Sequence, residues 1–314
     1  MSLAFICTKL LRALLTATLA VTFVFVMLRL SGDLTLELLG DEATPEMEAY
    51  LEEYLGLDRP IWEQYVGYVG GVLQGDFGQS FRDDRDVVEI VLAAVPKTLL
   101  LGGLSFLVAV LIGIPAGVTA AIARDTLWDR CVIGFAVIGH SLPNFFFGIM
   151  LILLFTLTWR LLPSSGSDTA AHLIMPVVTI GTSWAGILAR FSRSSMLEVL
   201  SRPYIRASRA RGFDRVRTVC REALPNAAIP TVTVCGLMVG GLISGAVVTE
   251  TVFAWPGIGR MLITSVTARD VPVVQFIVLI ITFSMVFSNL VVDLLYGFLD
   301  PRIGTARMGA DSKG

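Results

Sequence analysis

The chain has 314 residues, of which 54% are hydrophobic and only 16% are charged, and its mean hydropathy is +0.75. Intrinsic disorder is excluded because it requires low hydrophobicity and high charge. A secreted disulfide scaffold is excluded because four cysteines are too few for this length, and the formal net charge of −2 provides no bulk attraction for nucleic acid. Soluble globular chains carry about 25% charged residues, so the composition indicates a polytopic membrane protein.

Six charge-poor stretches are long enough to cross a bilayer as helices, which requires about 20 residues. They are Leu10–Leu30, Thr98–Ala123, Cys131–Trp159, Thr169–Ala189, Ala223–Thr249 and Val271–Val292. A cleaved signal peptide is an alternative for the first stretch, because Lys9 and Arg12 suit an amino-terminal basic region. A retained span is favoured, since the apolar run is long and Arg29–Gly32 lacks a small-residue cleavage pattern.

The segment between the first two spans, Ser31–Val95, is strongly acidic, with 15 Asp or Glu and three Arg. Within it, Ala43–Leu55 and Trp62–Leu73 have helical spacing, and a glycine-punctuated turn follows at Gly75–Ser80. We expect these helices to cap the outer face of the bundle, with docking of a partner as the alternative.

Orientation follows from the distribution of Lys and Arg among the loops. The segment Arg190–Glu222 contains nine Arg and three acidic residues, in contrast to the acidic segment Ser31–Val95. The sequence therefore predicts that Arg190–Glu222 and both termini are cytosolic and that Ser31–Val95 lies outside.

Several prolines lie inside or at the ends of the apolar stretches, beside many glycines and serines; they are Pro115, Pro143, Pro176 and Pro230. Each removes a backbone donor, which a membrane interior tolerates only against neighbouring helices or a cavity. The pattern favours bent helices around a pathway, and ordinary close packing of helices is the alternative.

The sequence motifs do not indicate an enzyme. None of the three lysines stands in a GxxxxGK[ST] sequence, so the chain has no phosphate-binding loop for ATP. His140 and His172 are 32 residues apart and lack the spacing of a zinc site, so no cofactor or metal is predicted. Glu250 and Asp293 lie near span ends, where hydrated structural roles are favoured over a proton relay.

The most distinctive local segment lies in the predicted inner loop. Pro203 suits the first turn of a helix, Ala207 and Ala210 suit its interior, and Gly212 is placed to end it. This pattern predicts a short basic helix parallel to the membrane. Its arginines could serve only to face anionic lipids, or the helix could be a rigid element presented to a cytosolic partner.

The spacing Arg206-Ala207-Ser208-x3-Gly212-x9-Glu222-x-Leu224-Pro225 resembles the EAA loop of binding-protein-dependent ABC importer permeases, whose pattern is EAA-x3-G-x9-I-x-LP. Arg206, Ser208 and Glu222 depart from that pattern in a way similar to the peptide-permease branch. The resemblance implies ATPase-coupling roles for the matched positions, which are Tyr204, Arg206, Ala207, Ser208, Ala210, Arg211, Gly212, Leu224 and Pro225.

Three further stretches resemble the first, B-type, permease subunit of dipeptide, oligopeptide and nickel importers. They begin at Leu57, Glu250 and Asp293, so that the resemblance covers residues 8–303. It implies structural roles for Gly75, Asp76, Gly78, Glu250, Pro256, Gly257, Gly259, Asp300, Pro301 and Arg302.

The resemblance implies an all-α, MetI-like permease of a type I ABC importer, in a bacterial inner membrane. Its parts would be a first helix with an acidic helical loop (1–95), a five-helix core with the EAA loop at 201–225 (96–303), and a cytosolic tail (304–314). The implied partners are a second homologous permease, two cytosolic ATPases and an extracytoplasmic solute-binding protein, so this chain would not itself be an enzyme.

Peptide is the default solute implied by the resemblance, and nickel chelates, opines and sugars stay open as alternatives. Two other classes stay open as well. An ATP-independent secondary transporter or channel would keep working after ATP depletion if an ion gradient were kept. A membrane scaffold would leave solute uptake intact when it is deleted.

Overall fold

A computed structural model of the chain describes residues 3–30, 44–47, 49 and 58–299. The chain is mostly helical over these residues. The helices that position the site are α1 (Leu3–Leu30), α2 (Ile61–Gln74), α3 (Val87–Ile122), α4 (Leu127–Ser141), α5 (Asn144–Leu151, continued by π-helical Ile152–Thr158), α6 (Ala171–Leu200), α7 (Pro203–Ala210), α8 (Arg215–Gly240, π-helical over Thr218–Ala223), α9 (Val247–Val252), α10 (Ile258–Thr267) and α11 (Val271–Leu299).

Among the described residues, four helices are long and apolar enough to cross a membrane: α3, α6, α8 and the Val271–Val292 part of α11. The bent pair formed by α4 and α5 gives a fifth if it counts as one span. In α1 the apolar stretch is Leu10–Val26. The fold is therefore a multi-helix membrane bundle, and the number six stays a prediction.

The expectation of one continuous span over Cys131–Trp159 is wrong. The axis turns by 100° between Leu127–Ser141 and Asn144–Thr158. Leu142, the residue before Pro143, has φ −75° and ψ 125°, which is the extended conformation that a following proline imposes. Pro143 then stands just before the first turn of α5, where its missing N–H costs no hydrogen bond.

The predicted fifth span, Ala223–Thr249, is also wrong at both ends. Helix α8 begins at Arg215 and stops at Gly240, and a turn and a short 3₁₀ segment, Ser244–Ala246, lead into α9. Gly240 and Gly241 are weak helix formers, and a Cβ on Gly240 would lie 2.9 Å from the Cβ of Ser288 in α11. The helix therefore ends where it crosses α11 closely.

Two other helices are longer than the predicted spans. Helix α3 begins at Val87 because Asp86 caps it, accepting hydrogen bonds from the backbone N–H groups of Val88 and Glu89 at 2.7 and 3.1 Å. Helix α6 continues to Leu200, well beyond the predicted end at Ala189. Hydropathy locates the apolar part of a helix, whereas capping and packing determine where the helix ends.

Helices α3, α4 and α6 pack closely enough that their backbones touch, and together they are called the three-helix block. A Cβ on Gly113 of α3 would lie 2.6 Å from the carbonyl oxygen of Ala185. A Cβ on Gly117 would overlap the carbonyl oxygen of Ala189. A Cβ on Gly186 of α6 would lie 2.7 Å from the carbonyl oxygen of Ala136 in α4. Small residues allow this approach, as is common between membrane helices.

The two ends of the bundle differ in charge, and α3, with 36 residues or about 54 Å, joins them. The basic end is the one that carries Arg190–Glu222, and the acidic end is the one that carries residues 61–89. Most of the predicted helix Ala43–Leu55 lies outside the described residues.

At the acidic end, α2 packs against α1. The hydroxyls of Tyr65 and Thr22 are 2.7 Å apart, and the ring of Phe25 contacts those of Tyr65 and Tyr68 at 5.3 and 5.7 Å. Burial raises the pKa of Tyr68 to about 12, so this phenol stays neutral. The predicted helix over Trp62–Leu73 is thus present, and it lies on the first helix.

Candidate functional site

Helix α7 at the basic end is anchored by one face only. Ile205 and Ser208, three residues apart, are both fully buried, whereas Tyr204, Ala207 and Ala210 are exposed. Ile205 belongs to a core cluster contributed by α3, α6 and α8, whose other buried members are Ala121, Met196, Val219, Ala223 and Ala227. The helix therefore sits on the bundle as a fixed element.

The opposite face of α7 is basic and open. Arg206, Arg209 and Arg211 are exposed, and no ion pair to another described residue neutralises them. A short helix with a fixed apolar face and a free cationic face presents a surface that another molecule could bind.

The ends of α7 follow the sequence prediction. Pro203 stands in the first turn, and the N–H of Gly212 donates to the carbonyl of Arg209 at 3.0 Å. Gly212 has φ +81°, in the left-handed region, as expected from its place after the helix. A Cβ on Gly212 would meet nothing within 4 Å, so the constraint at this position is conformational rather than steric.

After α7 the chain returns to the bundle over a short turn. The Asp214 carboxylate accepts a hydrogen bond from the N–H of Arg217 at 3.1 Å and caps α8. Arg215 donates from Nη2 to the carbonyl oxygen of Ile122 at 2.7 Å. The guanidinium of Arg217 lies 4.2 Å from the centre of the Phe213 ring. The segment that follows α7 is thus tied to the bundle.

Leu224 and Pro225, the last two positions of the matched spacing, lie inside α8 and not in a loop. The π-helical turns Thr218–Ala223 come directly before them. A proline inside a helix leaves one carbonyl without its donor, and a local widening of the helix accommodates that loss. These two positions are therefore separate from the exposed face of α7.

At the acidic end, Glu250 is completely buried, which contradicts the expectation of a hydrated side chain near an interface. Thr98 donates from Oγ1 to Glu250 Oε1 at 2.6 Å, and the N–H of Arg260 donates to Oε2 at 3.0 Å. Thr98 Oγ1 in turn accepts from the N–H of Ile258 at 2.9 Å. These four residues are called the Glu250 network.

Protein groups replace water around this carboxylate. Its donors include the N–H of Arg260 in the first turn of α10, one of the N–H groups that have no partner within their own helix. Gly257 leaves the space that the carboxylate occupies, because a Cβ there would overlap it, and a Cβ on Gly259 would lie 2.9 Å from Oε2. Pro256 is spanned by a hydrogen bond from Gly257 N–H to the Trp255 carbonyl at 2.8 Å.

The predicted turn Gly75–Ser80 joins the same region. Gly75 and Gly78 have φ of +77° and +75°, and the N–H of Gly78 donates to Asp76 Oδ1 at 3.0 Å. Ser80 and the Phe81 N–H both donate to Asp270, in the loop before α11. The turn therefore anchors the start of α3 to the start of α11.

Of the predicted site residues, the structure groups Tyr204 to Gly212 at the basic end and the Gly75 and Glu250 motifs at the acidic end. Asp300, Pro301 and Arg302 lie outside the described residues, as does the side chain of Asp293.

Comparison with known proteins identifies the family. Residues 113–305 match the binding-protein-dependent transport system inner membrane component family, and residues 2–102 match its amino-terminal domain. The chain belongs to this family.

Named relatives of this permease have similar lengths. The dipeptide transport system permease protein DppB of Escherichia coli strain K12 is 40% identical over 314 residues, which covers 90% of this chain and 92% of the relative. The di/tripeptide transport system permease protein DppB of Pseudomonas aeruginosa is 39% identical, with 89% and 92% covered. The glutathione transport system permease protein GsiC of Salmonella typhimurium is 42% identical over 281 residues, with 90% and 92% covered.

Solved structures show the same fold at low sequence identity. A chain of the MetNI methionine ABC transporter in an inward-facing conformation aligns with TM-score 0.56 and 20% identity, covering 68% of the permease and 97% of that chain. An amino acid ABC transporter crystallised with histidines aligns with TM-score 0.54 and 16% identity, covering 66% and 93%.

Sequence reasoning missed one pair of charged residues near α7. Asp129 in α4 and Arg193 in α6 form a two-pronged ion pair, although they are 64 residues apart in the chain. Nothing in the local spacing indicates it, because each residue by itself resembles an ordinary charge near a predicted inner loop. Only the packing of α4 on α6 brings them together.

Proposed function

We propose that this permease forms half of the translocation pathway of an ATP-driven peptide importer. Its partners are a second homologous permease, two cytosolic ATPases and an extracytoplasmic solute-binding protein. The observation that carries the proposal is helix α7, which is anchored through Ile205 and Ser208 and presents an open basic face. Identities of 39–42% to permeases named for dipeptides, di/tripeptides and glutathione support peptide as the solute class.

In this proposal α7 is the element through which the ATPase acts. The exposed face binds in the ATPase, and Ile205 passes its displacement to α3, α6 and α8 through the shared core cluster. Coupling requires that the ATPase interface have different binding free energies in the two states of the pathway, typically by about 1–3 kcal/mol. A flexible loop could move without displacing the helices around it. A helix that is buried along one face moves together with the helices that it contacts.

Cross-linking tests the ATPase contact directly. A cysteine at Ala210, on the exposed face of α7, is expected to cross-link to the ATPase subunit in the assembled complex. A cysteine at Leu127, also exposed near the basic end, is the matched control and should not. Equal cross-linking at both positions, or none at Ala210, would contradict the proposed role of α7.

The solute class is tested on the solute-binding protein that works with this permease. Calorimetry should detect binding of dialanine, and reconstituted complexes should take up labelled dialanine only with ATP. Binding of nickel or a sugar without dialanine would replace the peptide assignment. Uptake that survives ATP depletion under an ion gradient would exclude an ATP-driven importer.

Topology is part of the same proposal, with both termini and α7 in the cytosol and the acidic end outside. A reporter that works only outside the cytosol should be active when fused after Glu53 and inactive when fused after Arg215. The opposite activities would place α7 on the wrong side for an ATPase.

A further inference from the structure

The ion pair between Asp129 and Arg193 is a two-pronged, partly buried contact near the basic end. Arg193 Nε donates to Asp129 Oδ1 at 2.6 Å, and Nη2 donates to Oδ2 at 2.7 Å. The Asp129 side chain is 5% exposed and that of Arg193 is 25% exposed. Two parallel hydrogen bonds from a planar guanidinium fix both the separation and the relative orientation of the two side chains. The pair therefore holds α6 in one orientation on α4.

The pair also organises the turn between α3 and α4. Asp129 Oδ2 accepts a third hydrogen bond, from the N–H of Asp125 at 3.0 Å, and Thr126 caps α4 by accepting from the Asp129 N–H. Arg193 is therefore bound, through one carboxylate, to the turn that closes the inner end of the three-helix block.

Helix α7 rests on this same end of the block. Met196 follows Arg193 by three residues in α6, is fully buried, and lies in one cluster with Ile205 of α7 and Ala121 of α3. The residue after Ala121, Ile122, accepts the hydrogen bond from Arg215 at the other flank of α7. The seat of α7 is thus built from the π-helical start of α8, at Val219 and Ala223, together with the last turns of α3 and α6.

Close helix packing also holds the block at Gly113, Gly117 and Gly186, and at Gly117 it reaches Ser192, the residue before Arg193. The two-pronged ion pair adds a directional contact to this packing, because α6 cannot turn on α4 without separating the two charges. The pair therefore adds a restraint on the rotation of α6 close to the point where α7 is seated.

We propose that Asp129 and Arg193 are positioning residues for coupling: they keep α3, α4, α6 and α7 together as one rigid unit, so that displacement of α7 moves the pathway helices. This inference rests on the proposed function of α7. The pair would then affect how efficiently ATP hydrolysis drives transport.

The test neutralises both members together, because removal of one alone leaves a buried charge uncompensated and destabilises the protein for an unrelated reason. The double variant Asp129→Asn/Arg193→Gln should assemble with its partner subunits. Its uptake of labelled dialanine per ATP hydrolysed should fall about fivefold or more. The matched control is Arg85→Gln/Glu89→Gln, which neutralises an exposed ion pair at the acidic end and should couple normally.

A spectroscopic readout separates positioning from simple loss of stability. Spin labels at Leu127→Cys and Ala210→Cys, with the four native cysteines replaced by serine, report the separation of α4 and α7 by double electron–electron resonance. The parent should give a narrow distance distribution, and the double variant a broad one. If the double variant fails to assemble, Arg193→Lys, which keeps the charge but loses the fork, should show the same broadening.

Normal coupling together with a narrow distribution in an assembled variant would overturn the inference. Reduced amounts of complex with unchanged uptake per ATP would overturn it too, since that result describes a purely structural pair. The spin-label measurement needs no ATPase. The two hypotheses can therefore fail separately. If the distance distribution is broad in the variant but Ala210→Cys does not cross-link to the ATPase, the proposed function of α7 is rejected and the positioning role of the pair is kept.

Discussion

The basic end and the acidic end of the bundle use charge and glycine in opposite ways. Around α7 the arginines are exposed and Gly212 has open space beside it, so its φ of +81° is what excludes other residues. In the Glu250 network the carboxyl group is completely buried, and Gly257 is needed because any side chain would overlap that group. The basic end leaves its charged groups exposed, and the acidic end uses its buried polar groups to hold its own chain together.

The largest effect that this comparison predicts is that of Gly257→Ala. The added methyl group should displace the Glu250 carboxylate from Thr98 and from the first turn of α10. Loss of two buried hydrogen bonds, at about 1–3 kcal/mol each, should cost about 2–6 kcal/mol and remove most of the folded permease. The yield and thermal midpoint of the purified protein measure this. Gly103→Ala, in α3 with no atom nearby, should be tolerated, and equal loss for both would mean that the carboxylate is not the cause.

Ile205→Ala comes next, because it empties the buried face of α7. Truncation of a buried isoleucine costs about 2–5 kcal/mol, here against the local attachment of one helix. The bundle should remain assembled, while proteases acquire access to Arg206 and Arg209. Ser208→Ala is the matched control, because alanine keeps the Cβ that packs on the bundle and removes a buried hydroxyl that has no hydrogen-bond partner among the described residues, so its effect should be close to neutral. Equal protection of α7 in both variants would show that Ile205 is not its anchor.

Gly212→Val should have a smaller energetic effect with a specific functional result. A β-branched residue in the left-handed conformation is strained by about 1–2 kcal/mol, which should misplace α7 without unfolding the bundle. The complex should assemble, but ATP hydrolysis should lose its stimulation by dialanine-loaded binding protein. Gly212→Asn, which tolerates positive φ, should keep most of it. Full stimulation with Val at this position would mean that α7 is only a tether facing lipid.

The smallest effect is expected for Arg217→Gln. Its guanidinium lies 4.2 Å from the centre of the Phe213 ring, an exposed cation–π contact worth about 0.5–1 kcal/mol. Stimulated ATP hydrolysis should fall by less than about threefold, because the turn keeps its Asp214 cap. A loss as large as that of Gly212→Val would place Arg217 in the ATPase contact itself.

Helix α7 could be predicted from the sequence alone. Proline at the first turn, alanines inside and glycine after the end are local signals, and local backbone preferences decide such a short segment. Its buried face was not predictable, because Ile205 contacts Met196 and Val219, which belong to two different helices.

The surroundings of Glu250 at the acidic end were harder to predict from the sequence. The sequence placed Glu250 near the end of an apolar stretch, and a hydrated role followed from that position. The actual surroundings come from Thr98, which is 152 residues away, and from a helix that begins after Gly257. Whether water or protein surrounds a carboxylate depends on contacts between distant segments, which hydropathy does not record.

By itself the sequence determined that this chain is a multi-span helical membrane protein of the binding-protein-dependent transport family, with a short basic helix ended by Gly212. These properties depend on apolar length, charge distribution and local backbone preference. Only the tertiary structure decided the 100° bend after α4, the end of α8 at Gly240, the burial of Glu250 and the pairing of Asp129 with Arg193. The physical reason is that each of these depends on which helix faces which, a choice made by packing over the whole bundle.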